Sequence, residues 1–127
     1  MKRHSLAALA AMVAVAVSLT ACGPAQGTGT APTLPPGGVR IVAENLAFDS
    51  ERLEVQAGSG FGLLFENREG APHNVRIYDE GAADPLFVGE VFSGPAIRLY
   101  DVPALPAGIH LYRCDVHPAM AGEVVAT

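Results

Sequence analysis

From residue 39 onward the chain alternates. "VRIVAENLAF" and "RLEVQAG" are short runs in which apolar and polar positions trade places, the period-two signature of strands with one buried face. In "FGLLFEN", Phe61, Leu63 and Phe65 share a face. In "HNVRIYD", His73, Val75 and Ile77 share one, which puts Asn74, Arg76 and Tyr78 on the other. "AIRLYDV", "GIHLYRC" and "GEVVAT" carry the pattern to the C-terminus, while Leu86 to Val91 reads as a further short strand or an irregular crossing. Turn-forming clusters separate the runs: "AGSG", "NREGAP", "DEGAADP", "SGP" and "LPAG". No stretch keeps a helical period with caps, and none is repeated. Seven or eight short strands in residues 39–127 predict an all-β fold, a two-sheet antiparallel sandwich.

The first 38 residues follow different rules. Lys2 and Arg3 precede the compact apolar run "LAALAAMVAVAVSL", which leads into the small residues of "LTAC". This is the layout of an export signal, too short and too near the end for a convincing spanning helix. Leu19-Thr20-Ala21-Cys22 also looks like a bacterial lipobox, in which the cysteine is acylated and becomes the mature N-terminus. Residues 1–21 are therefore expected to be a lipoprotein signal peptide and Cys22 the lipid attachment site, tethering the protein to a membrane outside the cytoplasm. The alternative is an ordinary secretory signal with Cys22 incidental. Residues 22–38, rich in Gly, Pro, Thr and Ala and uncharged, read as the lipidated terminus and a flexible linker. His4 leaves with the signal.

Charge and cysteine count narrow the possibilities. The mature chain keeps six arginines and no lysine against thirteen acidic residues, a formal net charge of −7. That balance argues against nucleic-acid or anionic-membrane binding and is suited to keeping an exported protein soluble. With Cys22 lipidated, Cys114 has no internal partner; a Cys22–Cys114 disulfide would instead join a floppy tail to the far end of the domain. An unpaired thiol in an oxidising compartment needs protection or a purpose, and metal ligation supplies both.

"YRCDVHPAMAG" supplies the rest of that argument. Cys114 ends a strand on the face of Tyr112, and His117 and Met120 follow on the loop before "GEVVAT" resumes the sheet. His73, at the start of "HNVRIYD" on the face of Val75 and Ile77, is the candidate fourth member. Singly, each residue has a plain structural reading as core histidine or packing methionine. Together they form one thiolate, two imidazoles and one thioether. Structural zinc prefers four strong ligands, and methionine is a poor one for it. Two histidines and a cysteine in a plane with a weak axial methionine suit electron-transfer copper.

With these motifs in view, the sequence resembles a cupredoxin, a type 1 (blue) copper protein of the plastocyanin and amicyanin kind. "FENREGAPHNV" is similar to the segment around the first copper histidine in both, and "CDVHPAM" has the short amicyanin-like loop spacing. The resemblance covers Val39 to the end. It implies a Greek-key sandwich, one copper cycling between Cu(I) and Cu(II), and His73, Cys114, His117 and Met120 as ligands. It also implies that Asn74 ties the first-histidine segment to the Cys114 loop and that Pro72 shapes the backbone there; simple alternation would instead leave Asn74 exposed. His117, with Pro118 and Ala119, would form the apolar face that docks transient redox partners.

The implied function is carriage of single electrons between extracytoplasmic redox partners by a monomer. A protein that binds, buffers or delivers copper is the alternative. Enzymatic copper proteins need further histidines or a second loop cysteine, so no enzymatic activity is expected. His110 shares the Cys114 face, but four residues earlier it lies about 13 Å away, too far to ligate the same ion. It reads as a core histidine.

Overall fold

The computed structural model describes residues 29–127, which contain eleven strands and no helix. The expected signal peptide, Cys22 and the first part of the segment 22–38 lie outside the described residues. One sheet has the order β2 (Ala47–Phe48), β1 (Val39–Glu44), β4 (Phe61–Asn67) and β9 (Ala96–Val102). The other has β3 (Arg52–Val55), β11 (Ala121–Ala126), β10 (Gly108–Arg113), β6 (Arg76–Tyr78) and β7 (Pro85–Val88). A short ladder of β5 (Pro72–His73) with β8 (Phe92–Ser93) stands apart from both.

The alternating faces meet between the sheets. Ile41, Ala43, Leu63 and Phe65 from one sheet and Leu53, Ile77, Tyr112 and Val124 from the other form one buried cluster. Phe65 meets Phe92 edge-on with ring centroids 5.4 Å apart, and Phe48 leans on Tyr112 at the same separation. Burial of such side chains, at about 25 cal/mol per Å² of apolar surface, is the main force closing the sandwich. Tyr112 is fully buried, and its hydroxyl donates to the carbonyl of Ser50. Its ring occupies the space beside Gly122, where a Cβ would come within 2.5 Å of it.

Two expectations need correction. The strands number eleven rather than seven or eight, because β2, β5 and β8 are two-residue ladders and "HNVRIYD" splits into β5 and β6. The pairing is also not wholly antiparallel. β1 runs parallel to β4, and β3 parallel to β11. Alternation shows which face a residue takes but says nothing of strand direction.

Ahead of β1, the chain runs beside the first sheet. Pro35, Pro36, Gly37 and Gly38 make a turn closed by Gly38 N–H on the Pro35 carbonyl at 3.0 Å. Gly37 takes φ of 74°, the left-handed value that the third position of a type II turn requires. Pro35 seats against Gly62 on β4, where a Cβ would fall 2.4 Å from its ring. Further back, Gly29 to Pro32 line a cleft with Asn67, Arg68, Pro95 and Ala96.

Candidate metal centre

At one end of the sandwich two segments converge. The first follows β4. Asn67, the last residue of that strand and fully buried, donates through Nδ2 to the carbonyls of Ala71 at 2.8 Å and Phe92 at 2.9 Å. Its Oδ1 accepts from Glu69 N–H at 3.0 Å. One side chain thus satisfies three backbone groups that the loop would otherwise leave unpaired. The loop delivers His73 to β5, where it pairs with Phe92 and is fully buried.

Glu69 sets the chemistry of that ring. Its carboxylate lies 2.7 Å from His73 Nε2 and also accepts from Leu46 N–H at 2.9 Å. These contacts, the Leu46 amide foremost and the His73 ring after it, hold the Glu69 carboxyl below its usual range. A carboxylate can only accept, so Nε2 carries the proton and Nδ1 presents a lone pair toward the interior.

The second segment is residues 114–120, the loop between β10 and β11. Arg113 pairs with Ala121 in the last rung below it. Two backbone bonds close it, Cys114 N–H to the Met120 carbonyl at 3.0 Å and Met120 N–H to the His117 carbonyl at 2.8 Å. Cys114 is a buried free cysteine and Met120 is buried beside it in the core cluster. His117 is partly exposed, with Pro118, Ala119 and Val116 exposed around it.

The two segments meet at one point. His73 Nδ1 is 3.1 Å from His117 Nδ1, and Cys114 Sγ is 3.8 Å from the first and 4.0 Å from the second. A triangle with these sides has a point in its own plane about 2.1 Å from every corner, within the ordinary range of nitrogen and sulfur bonds to a first-row metal. The three strong donors therefore suit trigonal coordination, with methionine the remaining donor of the set. That combination fits a single copper ion better than tetrahedral zinc.

Asn74 joins the two segments. It is 1% exposed, not on an open face as alternation alone suggests, because β5 ends at His73 and the ladder resumes only at Arg76. Its Oδ1 accepts from Asp115 N–H at 2.8 Å, and its Nδ2 donates to the Asp115 carboxylate at 2.8 Å and to the Gly89 carbonyl at 3.1 Å. Arg76 holds the same carboxylate at 3.3 Å. Pro72 is exposed and pairs with Ser93 in the short ladder.

His110 stands apart from the centre. It is 2% exposed, with Nε2 at 2.8 Å from the Pro106 carbonyl and Nδ1 at 3.2 Å from the Asp79 carboxylate. Sequence reading overlooked Asn67, Glu69 and Asp115. Glu69 and Asn67 sat within a turn cluster, and only the spacing of a carboxylate four residues before a candidate ligand histidine could have marked the first.

A family model described as a cupredoxin-like domain matches residues 9–126. Among solved structures, auracyanin from Roseiflexus castenholzii superposes with a TM-score of 0.63 at 18% identity, covering 72% of this chain and 97% of that one. Auracyanin A from Chloroflexus aurantiacus gives 0.63 at 23%, covering 71% and 98%. Amicyanin from Paracoccus versutus gives 0.57 at 27%, covering 74% and 85%. No curated protein sequence matches. The likenesses to the auracyanins speak for the fold alone. The family model, however, spans nearly the whole chain, and on that ground the protein belongs to the cupredoxin-like family.

Proposed function

We propose that the protein is a type 1 copper protein that carries single electrons between redox partners outside the cytoplasm. One observation carries the reading: the candidate donor atoms of His73, Cys114 and His117 all lie within 4.8 Å of one another. Auracyanin A, similar in fold, is a blue copper protein. Copper bound at this point supplies a one-electron couple.

The residues divide the remaining work. His73, Cys114 and His117 would provide the strong donors for copper and Met120 a weak thioether donor. Glu69 fixes the His73 tautomer, while Asn74 and Asp115 hold the two ligand segments in mutual register. Pro72 shapes the backbone at the approach to His73. A frame this well tied limits rearrangement between oxidation states, which an electron carrier needs. His117, Pro118 and Ala119 form the docking face, since small exposed apolar residues permit brief encounters of small area. Cys22 carries the lipid that holds the protein at the extracytoplasmic face of a membrane. The protein acts as a monomer and catalyses no reaction of its own.

Cu(II) added to the metal-free protein is expected to give an intense visible band from thiolate charge transfer. Cys114→Ser abolishes the band, and Met120→Leu keeps it with an altered potential. A protein that stays colourless with one equivalent of bound copper overturns the reading. Rapid transfer of copper to an acceptor apoprotein, without fast electron exchange, favours delivery instead.

A further inference from the structure

The route of residues 29–38 bears on how the domain faces its membrane. β1 runs parallel to β4, with Val39 opposite Leu63 and Ala43 opposite Asn67. Asn67 is the last residue before the loop that carries His73, so β1 and β4 both run toward the metal pole. The preceding segment travels the other way. Its turn at Pro35–Gly38 packs at Gly62, near the start of β4, and Pro36 and Gly37 share a cleft with Thr127 at the opposite pole. Its earlier end, Gly29 to Pro32, lies against Asn67, Arg68, Pro95 and Ala96. Chain entering from the N-terminal side thus reaches the domain beside the metal centre.

The distances give this consequence. Cys22 and Gly29 are separated by seven peptide steps, which whatever their path span at most about 25 Å. Strand β4 alone, Phe61 to Asn67, accounts for roughly 20 Å between the two poles. An anchor at Cys22 therefore holds the metal pole within about 25 Å of the lipid attachment, whereas the far pole can stand up to about 45 Å from it. The surroundings of His117 agree with that placement: Pro72, Val116, Pro118 and Ala119 are exposed and apolar, and the one charged residue of the loop, Asp115, has its carboxylate held by Asn74 and Arg76. The C-terminus lies at the other pole, where Thr127 N–H donates to the Val55 carbonyl and Ala57 N–H to the Thr127 carbonyl.

We propose that the N-terminal tether presents the metal pole to the bilayer, so that the electron partner is an integral membrane protein with its redox group near the lipid surface. This rests on the anchoring of Cys22 proposed above. With copper held by His73, Cys114 and His117, the site would pass one electron per encounter to the partner's one-electron acceptor, or take one from a donor.

The orientation is testable without copper. The full lipidated chain, metal-free, is bound to phosphatidylcholine vesicles containing a headgroup spin-labelled lipid. A fluorescent residue introduced at Ala119 should be quenched at least threefold more than one introduced at Ser59 at the far pole. Equal quenching, or the reverse order, overturns the proposal.

A second measurement uses the cuprous protein and vesicles containing a ferrocenium-headgroup lipid. Here the native chain should oxidise at least threefold faster than a Cys22→Ser chain carrying its lipid after Thr127, while both react equally with soluble ferricyanide. Equal rates on the vesicles overturn the proposal. Mass measurement of the chain extracted from membranes separates the two ideas: a chain without an acyl group at Cys22 removes the anchoring. A lipidated peptide ligated to Gly23 then repeats the quenching comparison on the leash geometry alone.

Discussion

The two segments that form the candidate metal centre are held by different means. Residues 67–74 are fastened by side chains: Asn67 bonds to three backbone groups, Glu69 grips His73, and Asn74 reaches across to Asp115. Residues 114–120 are fastened by the backbone, through two internal bonds above a hairpin rung. The first segment depends on the identity of a few buried polar residues. The second depends mainly on its length. Substitutions should therefore be felt far more strongly in the first than at the exposed positions of the second.

Asn67→Ala should have the largest effect. It leaves two carbonyls and one amide unpaired in a buried loop, and a loss of about 3 kcal/mol is expected from urea unfolding of the metal-free protein. Asn74→Ala should cost about 2 kcal/mol and also shift the visible band of the copper form, since the Cys114 loop loses its link to the His73 segment. A band that does not move would mean that the backbone of residues 114–120 suffices to place the sulfur.

Tyr112→Phe probes the strand beneath the loop and should cost about 1 kcal/mol at neutral pH through the lost bond to Ser50. Burial pushes the Tyr112 phenol up to about 12 from its ordinary 10. Between these values the unfolded chain loses the proton while the folded one keeps it. Stability of the parent protein therefore falls as pH rises from 10 to about 12, and the phenylalanine variant should lack that component. Ala119→Glu should have the smallest effect on stability, within about 0.5 kcal/mol. It should leave the colour intact and slow exchange with a redox partner; an unchanged rate would move the docking face elsewhere.

Much of the fold is legible in the alternation of residues 39–127, because the inward positions of the long strands are mostly apolar, with Asn67 on β4 and His110 on β10 the buried polar exceptions. Strand direction is not legible, and the parallel pairs β1–β4 and β3–β11 arise from contacts between distant segments. The candidate ligands are readable because thiolate, imidazole and thioether are scarce side chains with a distinctive spacing. The residues that orient them are harder to recognise. Asn67 and Glu69 look like ordinary turn residues, and Asn74 looks exposed until the break between β5 and β6 turns it inward. Their roles depend on acceptors far along the chain, such as Phe92, Gly89 and Asp115.

Gly122, the second residue of β11, has a wider consequence than its size suggests. The slot left by its missing side chain is filled by the aromatic ring from the neighbouring strand, so the phenol can cross to Ser50 at the entry to β3. Three strands are thereby latched directly below the sulfur-bearing turn. A methyl group at that position would force the latch open, and the floor under the candidate ligands would move with it.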